Sequence, residues 1–252
     1  MTQLKLVIAE HFAGEIWRME IDPVSHILFV EARSNEDRKV NFAGLDLSNG
    51  KTYFKDHTID ESWLTGIESA FDGVLLLHYY QATGSPVHKG LAALEGRSGN
   101  ILWSNFNYTL DHLTVNGPAV FDSRFQPPAL KIADIKTGNL LRSYQVNEDY
   151  VPDNQIAIPK SIAWNDNLPK LPAEPYRNNV HYLEYNNLII VSLHALWAGQ
   201  LRQCLYVLEN RQLIFEDILN THIQKLQPEA FVLYRNQLIY IKDKVEIKVL
   251  NL

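Results

Sequence analysis

The chain has 252 residues, of which 46% are apolar and 21% charged, with a formal net charge of −6. This is the composition of an ordinary globular protein with ample core, and its acidic balance argues against a general nucleic-acid binder, whose footprint is a basic patch. One cysteine, Cys204, excludes an internal disulfide, and no stretch approaches the roughly 18 consecutive apolar residues of a spanning helix.

The opening MTQLKLVIAEHFAGE contains one short apolar strand, residues 4–9, and no secretory h-region, so a cytoplasmic location is expected. Downstream, short apolar quartets begin at Ile27, Val74, Pro118, Leu188 and Leu238, each close behind turn-forming residues. Three of them are followed by the same turn: AGLDLSNGKTYF around Gly50, AALEGRSGNILW around Gly99 and KIADIKTGNLLR around Gly138. In each, an acidic residue (Asp46, Glu95, Asp134) stands four positions before the glycine. A tight hairpin needs a residue that tolerates positive φ, and a nearby carboxylate can accept the turn's free N–H groups.

The quartet starts are separated by 47, 44, 70 and 50 residues. A strand–turn–strand unit recurring every 40 to 50 or so residues is the signature of a propeller blade. The reading is therefore all-β: a β-propeller of five four-stranded blades, at 15–56, 63–106, 112–147, 178–219 and from near 228. The last blade is completed by the N-terminal strand, which would leave no open edge. Six or seven irregular blades, or a β-sandwich, are the alternatives. A single domain is expected over 1–252, with an irregular insertion at about 146–179. Residues 209–223 are the one candidate for a short helix.

The stretch from Ala93 to Trp103 resembles the A-x-D-x-x-T-G-x-x-x-W pattern of quinoprotein-like (PQQ/WD40-like) propeller repeats. The resemblance covers about 110 residues and implies that Trp103 is a wedge between neighbouring blades. Phe54 stands at the same offset from its glycine, and Arg142 departs from the pattern. It also implies kinship with bacterial propeller families that have no established activity. The family's quinone-dependent dehydrogenases are exported and commonly carry a vicinal disulfide in the cofactor pocket; this chain, with one cysteine, is expected to hold no cofactor.

Two polar columns follow the quartets: Glu31, His78, Asp122, Ser192 and Lys242, then Arg33, Tyr80, Arg124, His194 and Lys244 two residues on. Residues i and i+2 of a strand share a face, so these pairs are expected to line one rim and form the ligand- or partner-binding face, with Trp164 of the insertion capping it. The mixture shows no metal-ligand spacing, and no metal is expected. Gly84-Ser85-Pro86 with His78 and His88 lacks a nucleophile elbow and reads as a loop. The five tryptophans read as packing residues.

Two functions are compatible with these residues. The first is a non-catalytic cytoplasmic scaffold that binds a protein or small-molecule ligand, with no nucleic-acid or membrane partner. The alternative is a hydrolase or lyase acting on a saccharide or lactone, its acid and base drawn from Glu20, Glu68 and Glu184 with help from His78.

Overall fold

The computed structural model describes residues 4–60, 62–82, 84–165, 168–228 and 230–252. Among them every sheet is antiparallel, no α-helix forms, and no helix is long and apolar enough to cross a membrane. Met1–Gln3 of the expected leaderless start, and Asp166 and Asn167 of the expected insertion, lie outside the described residues.

The chain enters as β1 (Lys5–His11) and then forms three four-stranded sheets in succession. The first contains β2 (Glu15–Ile21), β3 (Ile27–Ser34), β4 (Lys39–Asp46) and β5 (Thr52–His57); the second, β6 (Thr65–Phe71), β7 (Val74–Tyr80), β8 (His88–Glu95) and β9 (Ile101–Asn105). The third contains β10 (Tyr108–Thr114), β11 (Gly117–Asp122), β12 (Lys131–Ala133) and β13 (Leu140–Ser143). A two-residue strand, β14 (Ile156–Ala157), precedes a fourth sheet of β15 (Lys160–Ala163), β16 (Asn179–Tyr185), β17 (Leu188–Trp197), β18 (Gln200–Glu209) and β19 (Gln212–Ile223). The fifth contains β20 (Val232–Tyr234), β21 (Gln237–Lys242) and β22 (Glu246–Asn251), edged by β14 on one side and β1 on the other.

These sheets fall into two compact units. Phe12–Asn154 holds the first three; Gln155–Leu252, with the N-terminal segment ending at His11, holds the other two.

The quartets are unbroken apolar runs because their strands are covered on both faces. Leu28, Phe29 and Val30 of β3, and Leu75, Leu76 and Leu77 of β7, are all fully buried. Strand alternation sends Phe29, Leu75 and Leu77 into a core between the first and second sheets, and Leu76 into another that includes Ala93 and Ile135.

The three recurrent turns are superimposable in their bonding. Gly50, Gly99 and Gly138 have φ of 77°, 75° and 73°, and each glycine N–H donates to the carbonyl of Asp46, Glu95 or Asp134 at 2.8 Å. The side-chain carboxylates cap the turns by accepting the N–H two residues on, from Ser48 at 2.8 Å, Arg97 at 3.0 Å and Lys136 at 3.0 Å.

After the first two turns, the aromatic residue docks on the turn glycine of the next sheet. Trp103 donates from its indole to the Ile135 carbonyl at 2.9 Å, and a Cβ at Gly138 would lie 2.7 Å from its ring. Phe54 stands in the same relation to Gly99, where a Cβ would lie 3.3 Å from its ring. Arg142, at the third offset, instead grips buried Asp149 with both terminal nitrogens at 2.7 Å. That pairing, with the Gln145 N–H, holds the Asp149 carboxyl far below the usual range despite opposing burial.

One expectation is corrected here. Residues 209–223 are not helical: Asn210 and Arg211 both take positive φ, 49° and 68°, which makes a tight hairpin turn and sends the chain back along β18 as β19. Within the 146–179 segment, β14 pairs with β20 and β15 with β16.

Candidate functional site

The first two sheets bring together a group of polar and aromatic side chains at the ends of β2, β3, β6, β7 and β8. Two β-bulges aim them. One lies in β6, where pairing skips from Ile67 to Ser69 and leaves Glu68 as the extra residue; the other lies in β8, where it skips from Leu91 to Lys89 at Gly90, whose φ is +76°. A bulge bends the strand and re-aims its unpaired side chain, here turning Glu68 onto the face that carries His78, Tyr80 and His88. An equivalent bulge in β2, between Ile16 and Arg18, turns out Trp17.

The Glu68 carboxylate oxygen Oε2 lies 2.6 Å from Nδ1 of His78 and 2.9 Å from Nδ1 of His88. The two imidazoles stack in parallel, 3.7 Å between centroids and 5° between planes, and Tyr80 meets both edge-on. His78 is 2% exposed and neither of its ring nitrogens has an aligned hydrogen-bond partner among the described residues. The contacts to Glu68 are therefore close in distance without the direction a ring N–H would require. Gly66 makes room for this ring: a Cβ there would lie 2.9 Å from His78 Cε1.

Charge in the cluster is finely set. Burial pushes the Glu68 carboxyl up, but the two imidazoles and Arg18 outweigh it and hold it below its ordinary value. Burial and then His78 push His88 down, favouring neutral imidazole. Glu20, which pairs with Arg18 at 3.6 Å, is raised by burial and by Glu68 against the pull of Arg18.

Beside this cluster is an open cleft of about 220 Å³ lined by Trp17, Arg33, Trp63, Leu64, Tyr80 and Ser85 among others. The Arg33 guanidinium lies between two indoles, 5.6 Å from the Trp17 centroid and 5.7 Å from that of Trp63. It donates to Glu31 at 2.6 Å and to the carbonyls of Thr65 at 2.7 Å and Trp63 at 3.5 Å. Those bonds use one N–H on each nitrogen, and the second N–H of each terminal nitrogen has no acceptor among the described residues. Glu31 is fully occupied on the other side, accepting the Ile67 N–H at 2.7 Å.

The other residues of the expected binding face are distributed differently. Asp122 and Arg124 form an ion pair at 2.6 Å, with the arginine well exposed. His194 is 6% exposed and its Nε2 accepts the Gln227 N–H at 3.0 Å; burial, and then His181, push it down to about 4. Lys242 pairs with Asp217 at 2.6 Å, alongside Tyr240 and Lys248. Trp164 is partly buried and packs against its own sheet's core with Ile162, Val180 and Leu193. Glu184 is exposed and takes a hydrogen bond from Tyr182. Glu20 and Glu68 share the first unit's site, whereas Glu184 belongs to the other unit.

Sequence reasoning missed two contributors. Trp17, read as a packing residue, is 67% exposed. His88, read as part of a loop, begins β8 and closes the cluster. The available signal was the even spacing of Glu68, His78 and His88, ten residues apart on three consecutive strands of one meander.

Fold and site thus define an all-β protein of five antiparallel sheets with a polar-aromatic site on the first two. Residues 21–103 match the family described as "Domain of unknown function (DUF4905)", a span that contains every residue of the site except Trp17 and the Arg18–Glu20 pair. No curated protein matches the chain. Among solved structures, BamB from Moraxella catarrhalis is similar over 98% of this chain and 83% of its own, with 8% identity and a TM-score of 0.35. An endo-arabinase from Bacteroides thetaiotaomicron VPI-5482 is similar over 96% and 97%, at 8% identity and TM-score 0.27. A glucose dehydrogenase is similar over 96% and 82%, at 12% identity and TM-score 0.25.

Proposed function

We propose that the five sheets are the blades of a propeller, the fifth completed by β1, and that the protein is a non-catalytic scaffold whose cleft at Trp17, Arg33 and Trp63 binds a small saccharide-like ligand. The observation that carries this reading is the exposed Trp17 ring beside an arginine that retains unused donors. An indole face accepts the apolar C–H face of a sugar ring, while the Arg33 N–H groups serve its oxygens. Glu31 offsets the Arg33 charge, which favours a neutral ligand over an anion. The volume, below the roughly 300–1,000 Å³ of drug-sized pockets, suits a small molecule. Thermal unfolding in chelator-containing buffer against neutral mono- and disaccharides and their lactones tests it, since a ligand that binds only the native state raises Tm. The expected result is a reproducible rise with at least one compound, lost in Trp17→Ala; a flat response across the panel overturns the reading.

One observation favours a second reading, a hydrolase or lyase on the same class of compound. Glu20 is pushed up and Glu68 held down, and two carboxylates driven apart in this way are how one fold supplies both an acid and a base. Turnover of a bound sugar or lactone, abolished in Glu20→Gln, would replace binding by catalysis.

A further inference from the structure

We infer that Glu68, His78 and His88 form a divalent transition-metal centre of the zinc class. One potential donor atom from each lies within 4.8 Å of the others. Two of them, the Nδ1 atoms, converge on the third, Glu68 Oε2, at 2.6 and 2.9 Å. No aligned hydrogen bond among the described residues accounts for this convergence. Among the described residues, the buried His78 ring has no aligned partner at either nitrogen, and Glu68 Oε2 is itself buried without an aligned donor. An imidazole sealed in this way ordinarily costs free energy unless something satisfies it, and a cation between the three donors would do so.

The donor chemistry selects the ion. Two imidazoles and one carboxylate suit zinc and its transition-metal neighbours, whereas magnesium and calcium prefer oxygen ligands throughout. Metal–ligand bonds of about 2.0–2.1 Å place tetrahedral ligand atoms roughly 3.3 Å apart. The observed separations are shorter by well under 1 Å, a gap that small rotations close, and His88 is one-third exposed and has room to turn.

The rest of the environment is built to hold such a centre. The bulge delivers Glu68, the glycine at 66 seats the His78 ring so that Nδ1 faces the carboxylate, and Tyr80 braces both rings. Three protein ligands leave a fourth position for water or for a ligand, as in open zinc sites. Tyr80 belongs to both the cluster and the cleft wall, so that position adjoins the cleft. The metal centre does not depend on what the cleft binds.

The test is a titration of chelator-stripped full-length protein with zinc chloride in competition with a chromophoric chelator, repeated with His88→Ala, Glu68→Gln and the double variant. The wild type is expected to bind one equivalent, each single variant at least about 100-fold more weakly, and magnesium chloride to give no competition. Cobalt chloride is expected to give the visible absorption of a four-coordinate nitrogen–oxygen site in the wild type alone. Circular dichroism of the metal-free variants separates lost ligation from lost folding, and Glu68 and His88 are chosen because neither side chain is as buried as His78. Less than one equivalent in the wild type, or an affinity unchanged in the folded single variants, overturns the proposal.

Discussion

The first and second sheets carry the same strand order and put a polar residue at the same place, directly after the buried quartet, yet treat it in opposite ways. In the first, Glu31 is closed off: it is 1% exposed, bonds Arg33 at 2.6 Å, and takes the Ile67 N–H of the neighbouring sheet at 2.7 Å. In the second, His78 is equally buried and has no aligned partner among the described residues. The difference teaches that a buried polar position in a repeat can serve either as a tie between sheets or as a waiting donor. Satisfaction of its hydrogen bonds, more than burial, tells the two apart.

Removing the tie should have the largest effect. Glu31→Ala leaves Arg33 and the Ile67 N–H buried without their acceptor, and loss of about 3–5 kcal/mol is expected from urea unfolding. A value under about 1 kcal/mol would mean that Glu31 is no tie at all.

A smaller, pH-dependent effect is expected at His194, the fourth sheet's counterpart of Arg33 and Tyr80. Its folded value of about 4 lies below the ordinary value near 6.5, so between these limits the unfolded chain binds more protons than the folded one. Its contribution is therefore complete above about pH 6.5 and is lost as pH falls toward 4, by about 1–3 kcal/mol. Protonation would also remove the Nε2 lone pair that accepts from Gln227. Unfolding midpoints of wild type and His194→Gln at about pH 7 and about pH 4.5 check this. The wild type should lose more stability between them, and parallel losses would remove His194 as the cause.

The smallest effect sharpens the contrast between the first two sheets. His88→Ala in chelator-containing buffer is expected to change stability by less than about 1 kcal/mol, because the side chain is partly exposed and its contact with Glu68 is unaligned. A loss comparable to that of Glu31→Ala would make the cluster a structural tie like its neighbour.

The hairpin turns were legible because their requirements are local: a residue that accepts positive φ, and a carboxylate within reach of the following N–H groups. Trp103 was legible through the repeat that it closes. The Glu209–Ile223 stretch was not, because Asn210 and Arg211 carry the positive φ without a glycine to advertise it. Of the site, His78, Tyr80, Glu31 and Arg33 could be placed on shared faces by period-two alternation. Glu68 and Trp17 could not: each sits at a one-residue bulge, and such a slip reverses the face a strand residue occupies.

What the sequence by itself determined is the all-β class, the quartet strands, the capped glycine turns and the approximate limits of five strand groups, all properties set by neighbours a few residues apart. Only the tertiary structure decided the rest. It assigned the proline-rich segment to two sheet edges, turned Trp17 outward, and set Glu68, His78 and His88 around one point. These outcomes depend on where bulges fall and on which groups already have partners, and both are settled between strands rather than along them.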